Sequence, residues 1–154
     1  MTKRILLLSG PNLNLLGERS PDVYGTMTLV EHVERFTAAA VRAGFEVRHV
    51  QSNHEGDLIE AIHAARGDCV AIVVNAGALS HSSWALHDAL AAFDGVVVEL
   101  HLSNPDAREP WRRQSVVAPV ADGTVAGFGG LGYELAVEAA ARLVNGRDVR
   151  LPGA

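Results

Sequence analysis

The chain is predicted to fold as a single α/β domain on a five-stranded, doubly wound parallel sheet, and three observations carry that expectation. Short apolar runs alternate with longer amphipathic ones along its 154 residues, the pattern of strands joined by crossover helices. The strand-like runs show little period-two alternation, as expected where helices cover both faces of a sheet. Gly44, Gly67, Gly95 and Gly146 each follow a helical pattern, where glycine suits a helix stop.

The first strand is expected at 5–9, ended by the turn residues Gly10, Pro11 and Asn12. Further strands are expected at 46–51, 70–75, 96–100 and 124–128, and helices at 28–43, 56–65, 82–93 and 130–145. The last helix has the clearest apolar face, with Tyr133, Ala136, Val137, Ala140, Leu143 and Val144 on one side and Glu134, Glu138 and Arg142 away from it. No linker or repeat divides the chain, so residues 1–148 read as the domain and 149–154 as a flexible tail.

One connection breaks this regularity. Residues 10–27, roughly eighteen positions, separate the first strand from its helix, whereas such loops usually hold about two to six. Loops this long are commonly lids or binding loops. Leu13, Leu15 and Leu16 would anchor the first half against the body, leaving 18–25 as the moving half, with Arg19 and Tyr24 on it.

Bulk composition removes several functions. A single cysteine, Cys69, permits no internal disulfide and suits a reducing, cytoplasmic setting. No charged-then-apolar leader opens the chain and no apolar run reaches the ~18 residues of a membrane span, so a soluble, unexported protein is expected. A formal net charge of −5, with no basic block or aromatic platform, argues against a nucleic-acid partner.

Ligands of doubly wound sheets bind beyond the carboxyl ends of the strands, and there this chain gathers its polar side chains. Asn12, Arg19 and Tyr24 follow the first strand; Gln51, Ser52, Asn53 and His54 the second; Asn75, Ser80 and His81 the third; His101, Ser103, Asn104, Arg108 and Arg112 the fourth. Glu99 and His101, two apart in an extended segment, share a face, where the carboxylate can hold the imidazole's tautomer and make it a general acid. Arg108, Arg112 and Arg113 suit an anionic or polyhydroxylated substrate, Arg113 having also a solvated reading. Ser80 or Ser82 would cap the following helix, with His81 at its mouth. Asp88, seven residues further and about 10 Å along a helix axis, is too far to share a small substrate with His81. It is either a surface charge or a contributor to a neighbouring subunit's site.

The reaction is narrowed by what is missing. Lys3, the sole lysine, lies at the chain start, which sets aside Schiff-base catalysis, and Cys69 at the start of a buried strand is a poor thiolate nucleophile. His49, His54, His81 and His87 form no convincing ligand set, so no metal is expected. The stretch from Gly127 to Gly132 has the wrong spacing for a dinucleotide turn. Acid–base chemistry by tyrosine and histidine without a cofactor remains. A phenol, which titrates near ~10 when free, needs a cation to serve as a base. At ~4 Å and an effective dielectric near 20 one guanidinium supplies about 4 kcal/mol before screening, a role open to Arg19 and secondarily to Arg108. A phosphate or nucleotide binder cradling its ligand at the Gly10 and Gly127 turns is the alternative, as is a catalytically silent relative.

The ordered motifs GPNLNLLGERSPDVYG, QSNHEGDLIEAIH, NAGALSHSS followed by HDAL, and ELHLSN followed by ARE and WRRQS resemble those of the type II 3-dehydroquinate dehydratases from Ile5 to about Leu143. The resemblance implies a flavodoxin-like fold, a dodecamer of four trimers, and reversible anti elimination of water from 3-dehydroquinate through an enolate. Residue by residue it makes Tyr24 the base at C2, supported by Arg19, and His101 the acid, oriented by Glu99. Asn12, with a water, would stabilise the enolate. Asn75, His81 and Arg112 would hold substrate hydroxyls, the Leu102 and Ser103 amides the carboxylate, and Asp88 the adjoining subunit's substrate, with Arg108 closing alongside the lid. The chain departs from the family's usual residues at Ala76, His87, Pro105, Asp106, Pro110 and Val116, which cluster near the substrate loop and subunit contacts. Aromatic biosynthesis and quinate breakdown would use the same step.

Overall fold

A computed structural model describes residues 2–146; the tail expected at 149–154 lies outside them. Five parallel strands, β1 (Lys3–Ser9), β2 (Phe45–Gln51), β3 (Ala71–Asn75), β4 (Val96–His101) and β5 (Gly123–Ala126), pair in the order β2-β1-β3-β4-β5. This is the flavodoxin-like order, and the connections reverse direction between β1 and β3, where such sheets open a ligand crevice.

The crossover helices are α2 (Leu29–Arg42), α3 (Glu55–Ala65), α4 (Trp84–Ala91) and α5 (Leu131–Asn145). Ile5 and Leu7 face the layer of Phe36, Ala40, Tyr133 and Ala136 from α2 and α5. Leu6 and Leu8 face Leu58, Ile62, Leu86 and Leu90 from α3 and α4. Adjacent side chains of a strand point to opposite faces, so a run apolar at every position is what a sheet with two covered faces requires. All four of these β1 residues are fully buried, each contributing about 1.5–3 kcal/mol of apolar transfer.

Local chemistry sets the boundaries. Thr28 accepts from the Glu31 amide while Glu31 accepts from the Thr28 amide, a reciprocal cap that starts α2. Gly44 ends α2 at φ +89° and Gly67 follows α3 at φ +78°. Gly95 is no such stop. A Cβ there would lie 2.1 Å from the Phe93 ring, so its glycine serves close packing instead. On α5, Leu143 is 40% exposed and Ala141 takes its place in the buried face. Lys3 is the first paired residue of β1, at the end of the sheet opposite the crevice.

Within the long loop lie a 3-10 turn at Leu13–Leu15 and a short helix, α1 (Pro21–Tyr24). Leu13 and Leu16 are buried as anchors, but Leu15 is 39% exposed. No helix among the described residues is long and apolar enough to cross a membrane.

Candidate active site

The crevice at the β1–β3 switch is built by two loops that nearly touch. The Gly10 amide donates to the Asn75 carbonyl at 2.8 Å, and a Cβ on Gly10 would stand 2.4 Å from the Ala76 carbonyl oxygen. Gly77, at φ +59°, meets the Pro11 carbonyl in the same way. Only glycine allows both approaches. Asn12 itself sits in the left-handed region at φ 68°, a conformation asparagine tolerates better than most residues. Its amide is held by Asn53 Oδ1 at 2.9 Å, and Gln51 donates to both Gly10 O and Asn53 Oδ1. The polar residues after β2 therefore brace the loop from behind and do not line the crevice.

Asn12, Arg19, Tyr24, Asn75, His81, His101, Leu102, Ser103, Arg108 and Arg112 all line this cleft, together with Pro11, Leu13, Leu16, Gly77, Ala78 and Pro105. Among the described residues no carboxylate lines the cleft, and its three guanidinium groups, with Glu109 paired to Arg112 and 4.0 Å from Arg108, leave the interior with an excess of positive charge that suits an anion.

Tyr24 is half-buried on α1 and packs against the core beneath it. Its hydroxyl accepts from Arg108 Nη1 at 2.8 Å, and the same nitrogen reaches Ser103 Oγ at 3.3 Å. Arg108 lies 5.1 Å and Arg19 5.6 Å from the Tyr24 ring centroid, measured from each guanidinium carbon. Arg108 thus makes the direct contact with the phenol, while Arg19 supplies charge beside the ring, the reverse of the emphasis their sequence positions suggest.

His101 ends β4, and its Nε2 lies 3.0 Å from Glu99 Oε2. An ionised carboxylate only accepts, so Nε2 carries the hydrogen and Nδ1 remains for other partners. Burial pushes the Glu99 carboxyl up, but hydrogen bonds from His101 and Ser115, the His101 charge and a bond from Thr124 together outweigh it and hold the group below its ordinary range. His81 is fixed similarly, Nδ1 donating to the Gln114 carbonyl at 2.7 Å, and its ring lies nearly parallel to His101 with centroids 6.4 Å apart. Arg112 stacks over Trp111 at 4.1 Å and pairs with Glu109, a placement that leaves its side chain only 13% exposed.

The cap of the helix after β3 is one expectation that changes. Ser83, not Ser80 or Ser82, caps α4, its hydroxyl accepting from the Leu86 amide at 3.0 Å. A 3-10 turn over Gly77–His81 and a break at Ser82 separate His81 from α4, so His81 and Asp88 do not share one helix. Asp88 is exposed on α4 and does not line the cleft. Arg113 is exposed as well. Cys69 is buried, and burial pushes its thiol up, away from nucleophile chemistry. The Gly127 and Gly129 amides donate to the His101 and Leu102 carbonyls, so that turn is occupied in bracing β4 rather than cradling a phosphate. His87 and Val116, two of the departures, meet each other: His87 Nδ1 lies 2.7 Å from the Val116 carbonyl.

Sequence reasoning missed Ser115 and Thr124, whose hydroxyls both reach Glu99. The only signal was the final serine of WRRQS, which nothing local distinguishes from a turn residue.

The model of the family described as dehydroquinase class II matches residues 3–141. A protein named 3-dehydroquinate dehydratase from Bacillus licheniformis is 54% identical over 133 residues, covering 86% of this chain and 92% of that one. One named catabolic 3-dehydroquinase from Phaeosphaeria nodorum is 49% identical over 145 residues, covering 94% and 95%. Among solved structures, the type II dehydroquinase of Propionibacterium acnes superposes with a TM-score of 0.87 at 40% identity, over 92% of this chain and 97% of that one.

Proposed function

The chain belongs to the class II dehydroquinase family, and from that premise we propose that it removes water from 3-dehydroquinate, reversibly and with anti geometry, to give 3-dehydroshikimate. The observation that carries this reading is the presence, in one cleft free of carboxylates, of a phenol bonded to a guanidinium and an imidazole backed by a buried carboxylate.

Tyr24, as phenolate, takes a proton from C2. Arg108 and Arg19 stabilise the negative oxygen electrostatically in a partly dehydrated site, where charge pairs act more strongly than in water. The electrons pass to the C3 carbonyl as an enolate, which Asn12 stabilises with a water. His101, protonated on both nitrogens, delivers a proton to the departing C1 hydroxyl while Glu99 keeps the Nε2 bond. Water leaves, and the enolate collapses to the conjugated enone. Phenol and imidazole then restore their protonation states with solvent, so no net proton is consumed.

Asn75, His81 and Arg112 hold the hydroxyls, and the Leu102 and Ser103 amides hold the carboxylate. The protein works in the cytoplasm without metal or cofactor, as a dodecamer of four trimers in which Asp88 reaches an adjoining subunit's substrate. Its exposure on α4 outside the cleft supports that assignment. The step serves the shikimate route to aromatic compounds or quinate breakdown.

The test is ultraviolet absorbance of the enone when purified, metal-stripped protein meets 3-dehydroquinate, beside Tyr24→Phe and His101→Ala. Turnover by the parent and loss of about 10² to 10⁴ in each folded variant are expected. Near-normal activity in either variant would remove that residue from its role, and an inert parent oligomer would favour a silent relative.

A further inference from the structure

Glu99 is 2% exposed and takes bonds from three separate parts of the chain. His101 Nε2 and Ser115 Oγ both reach Oε2, at 3.0 and 2.6 Å, and Thr124 Oγ1 reaches Oε1 at 3.2 Å. Ser115 has no freedom in this. Its oxygen accepts from the Val117 amide at 3.1 Å and the Ala118 amide at 3.0 Å, which engages both lone pairs and leaves its hydrogen for Glu99. Thr124 arrives from β5, the strand that pairs with β4 and sets Glu99 against Thr124 in register.

We propose that Ser115 and Thr124 are positioning residues for the departure of the hydroxyl, holding Glu99 ionised and oriented so that His101 releases its proton at the right moment. The inference rests on the dehydratase reading above. A buried carboxylate with a single partner would concentrate its charge on that partner. With His101 as the only donor, Glu99 would hold the imidazolium proton more tightly or take one itself, and either change would slow delivery to the leaving oxygen. Two hydroxyl donors spread the charge over both oxygens and let the imidazole give up the proton facing the substrate. Neither hydroxyl lines the cleft, so both act through Glu99.

This assignment separates the two halves of the reaction. Proton removal at C2 belongs to Tyr24 and should not depend on Ser115 or Thr124; loss of the hydroxyl should. Incubation in deuterium oxide reads both, because reversal of the first half places deuterium at C2 of recovered 3-dehydroquinate while the second half yields enone. Thr124→Val leaves every backbone bond named here intact and is the primary variant. Ser115→Ala also frees two amides, so Ser115→Thr, which keeps a hydroxyl, accompanies it.

In Thr124→Val and Ser115→Ala, enone formation is expected to fall by roughly tenfold, the scale of one lost bond to a charged group. The ratio of deuterium incorporation to enone formation should rise by a similar factor, and Ser115→Thr should return it toward the parent. An unchanged ratio in Thr124→Val, whether both rates fall together or neither does, overturns the inference. If the parent neither exchanges nor eliminates, the dehydratase reading fails first and takes this one with it.

Discussion

Arg108 donates through Nη1 to the Tyr24 hydroxyl at 2.8 Å, although 84 positions separate the two in sequence. The bond ties the short helix of the long loop to the segment after β4, and it stabilises a negative oxygen more than a neutral one. Arg108→Gln should therefore lower kcat by about 10²-fold, the scale of losing one preorganised donor to developing charge. Arg108→Lys should fall between, since an ammonium keeps the charge but lacks the geometry that spans Tyr24 and Ser103. Steady-state kinetics on samples with unchanged circular dichroism decides it; a kcat within twofold of the parent in Arg108→Gln would show that Arg19 alone suffices.

Asp88 points the second expectation outward. It is exposed on α4 and lies apart from the cleft, so a role in catalysis requires another copy of the chain. Individually inactive Tyr24→Phe and Asp88→Asn subunits, mixed and reassembled, should recover activity, because some sites then combine an intact Tyr24 with an intact Asp88 from the neighbour. Native mass spectrometry would verify the mixed assemblies. No recovery in verified mixtures would leave Asp88 as a surface charge.

The strands and crossover helices were readable because burial on both faces demands uninterrupted apolar runs such as Ile5 to Leu8, and because α2 to α5 are long enough for helical periodicity. The helix at Pro21–Tyr24 spans 4 residues, too few for any period to register. Much of the site was readable too, since Asn75 and His101 each end a strand at the crevice and Asn12 and Tyr24 lie on the loop that follows another. What escaped was set by contacts distant in sequence. Nothing near Arg108 says that it reaches Tyr24, and nothing near Ser115 marks the carboxylate 16 residues away. The Ser83 cap escaped because three nearby serines offer equivalent local chemistry, and only the break at Ser82 decides among them.

Gly10→Ala tests the close approach of the two loops. The added methyl would lie 2.4 Å from the Ala76 carbonyl oxygen and 2.6 Å from its carbon, both backbone atoms that cannot rotate away. Relief requires separating the loops and straining the Gly10 to Asn75 hydrogen bond, at a cost of about 1–3 kcal/mol. Urea unfolding should show that loss. Activity should drop by more than stability alone implies, because Asn12 and Asn75 flank the displaced backbone. Unchanged values of both would mean that the loops have slack absent from this structure.

His32 offers the last expectation, on stability rather than rate. It is 2% exposed in α2, stacked on Tyr133 with centroids 5.0 Å apart, and among the described residues neither ring nitrogen has a hydrogen-bond partner. Burial first, and then the Arg35 charge, push its pKa below the ordinary histidine value, with Glu31 opposing. The unfolded chain therefore binds a proton at this position more readily than the folded one, and stability must rise with pH across the interval between the two values. His32's neutral form carries no such penalty above about 6.5, the unperturbed histidine value, and the penalty grows as pH falls below it. His49, also pushed down by burial, acts in the same direction. His32→Leu removes one share of this dependence and two unpaired polar atoms, so it should stabilise the fold by roughly 1 kcal/mol near neutral pH, net of the lost stacking. The gain should widen as pH is lowered through 6.5 toward 5. Melting temperatures of parent and variant across that range decide the matter. A constant difference between the two curves would mean that His32 keeps the same protonation state in the folded and unfolded chain.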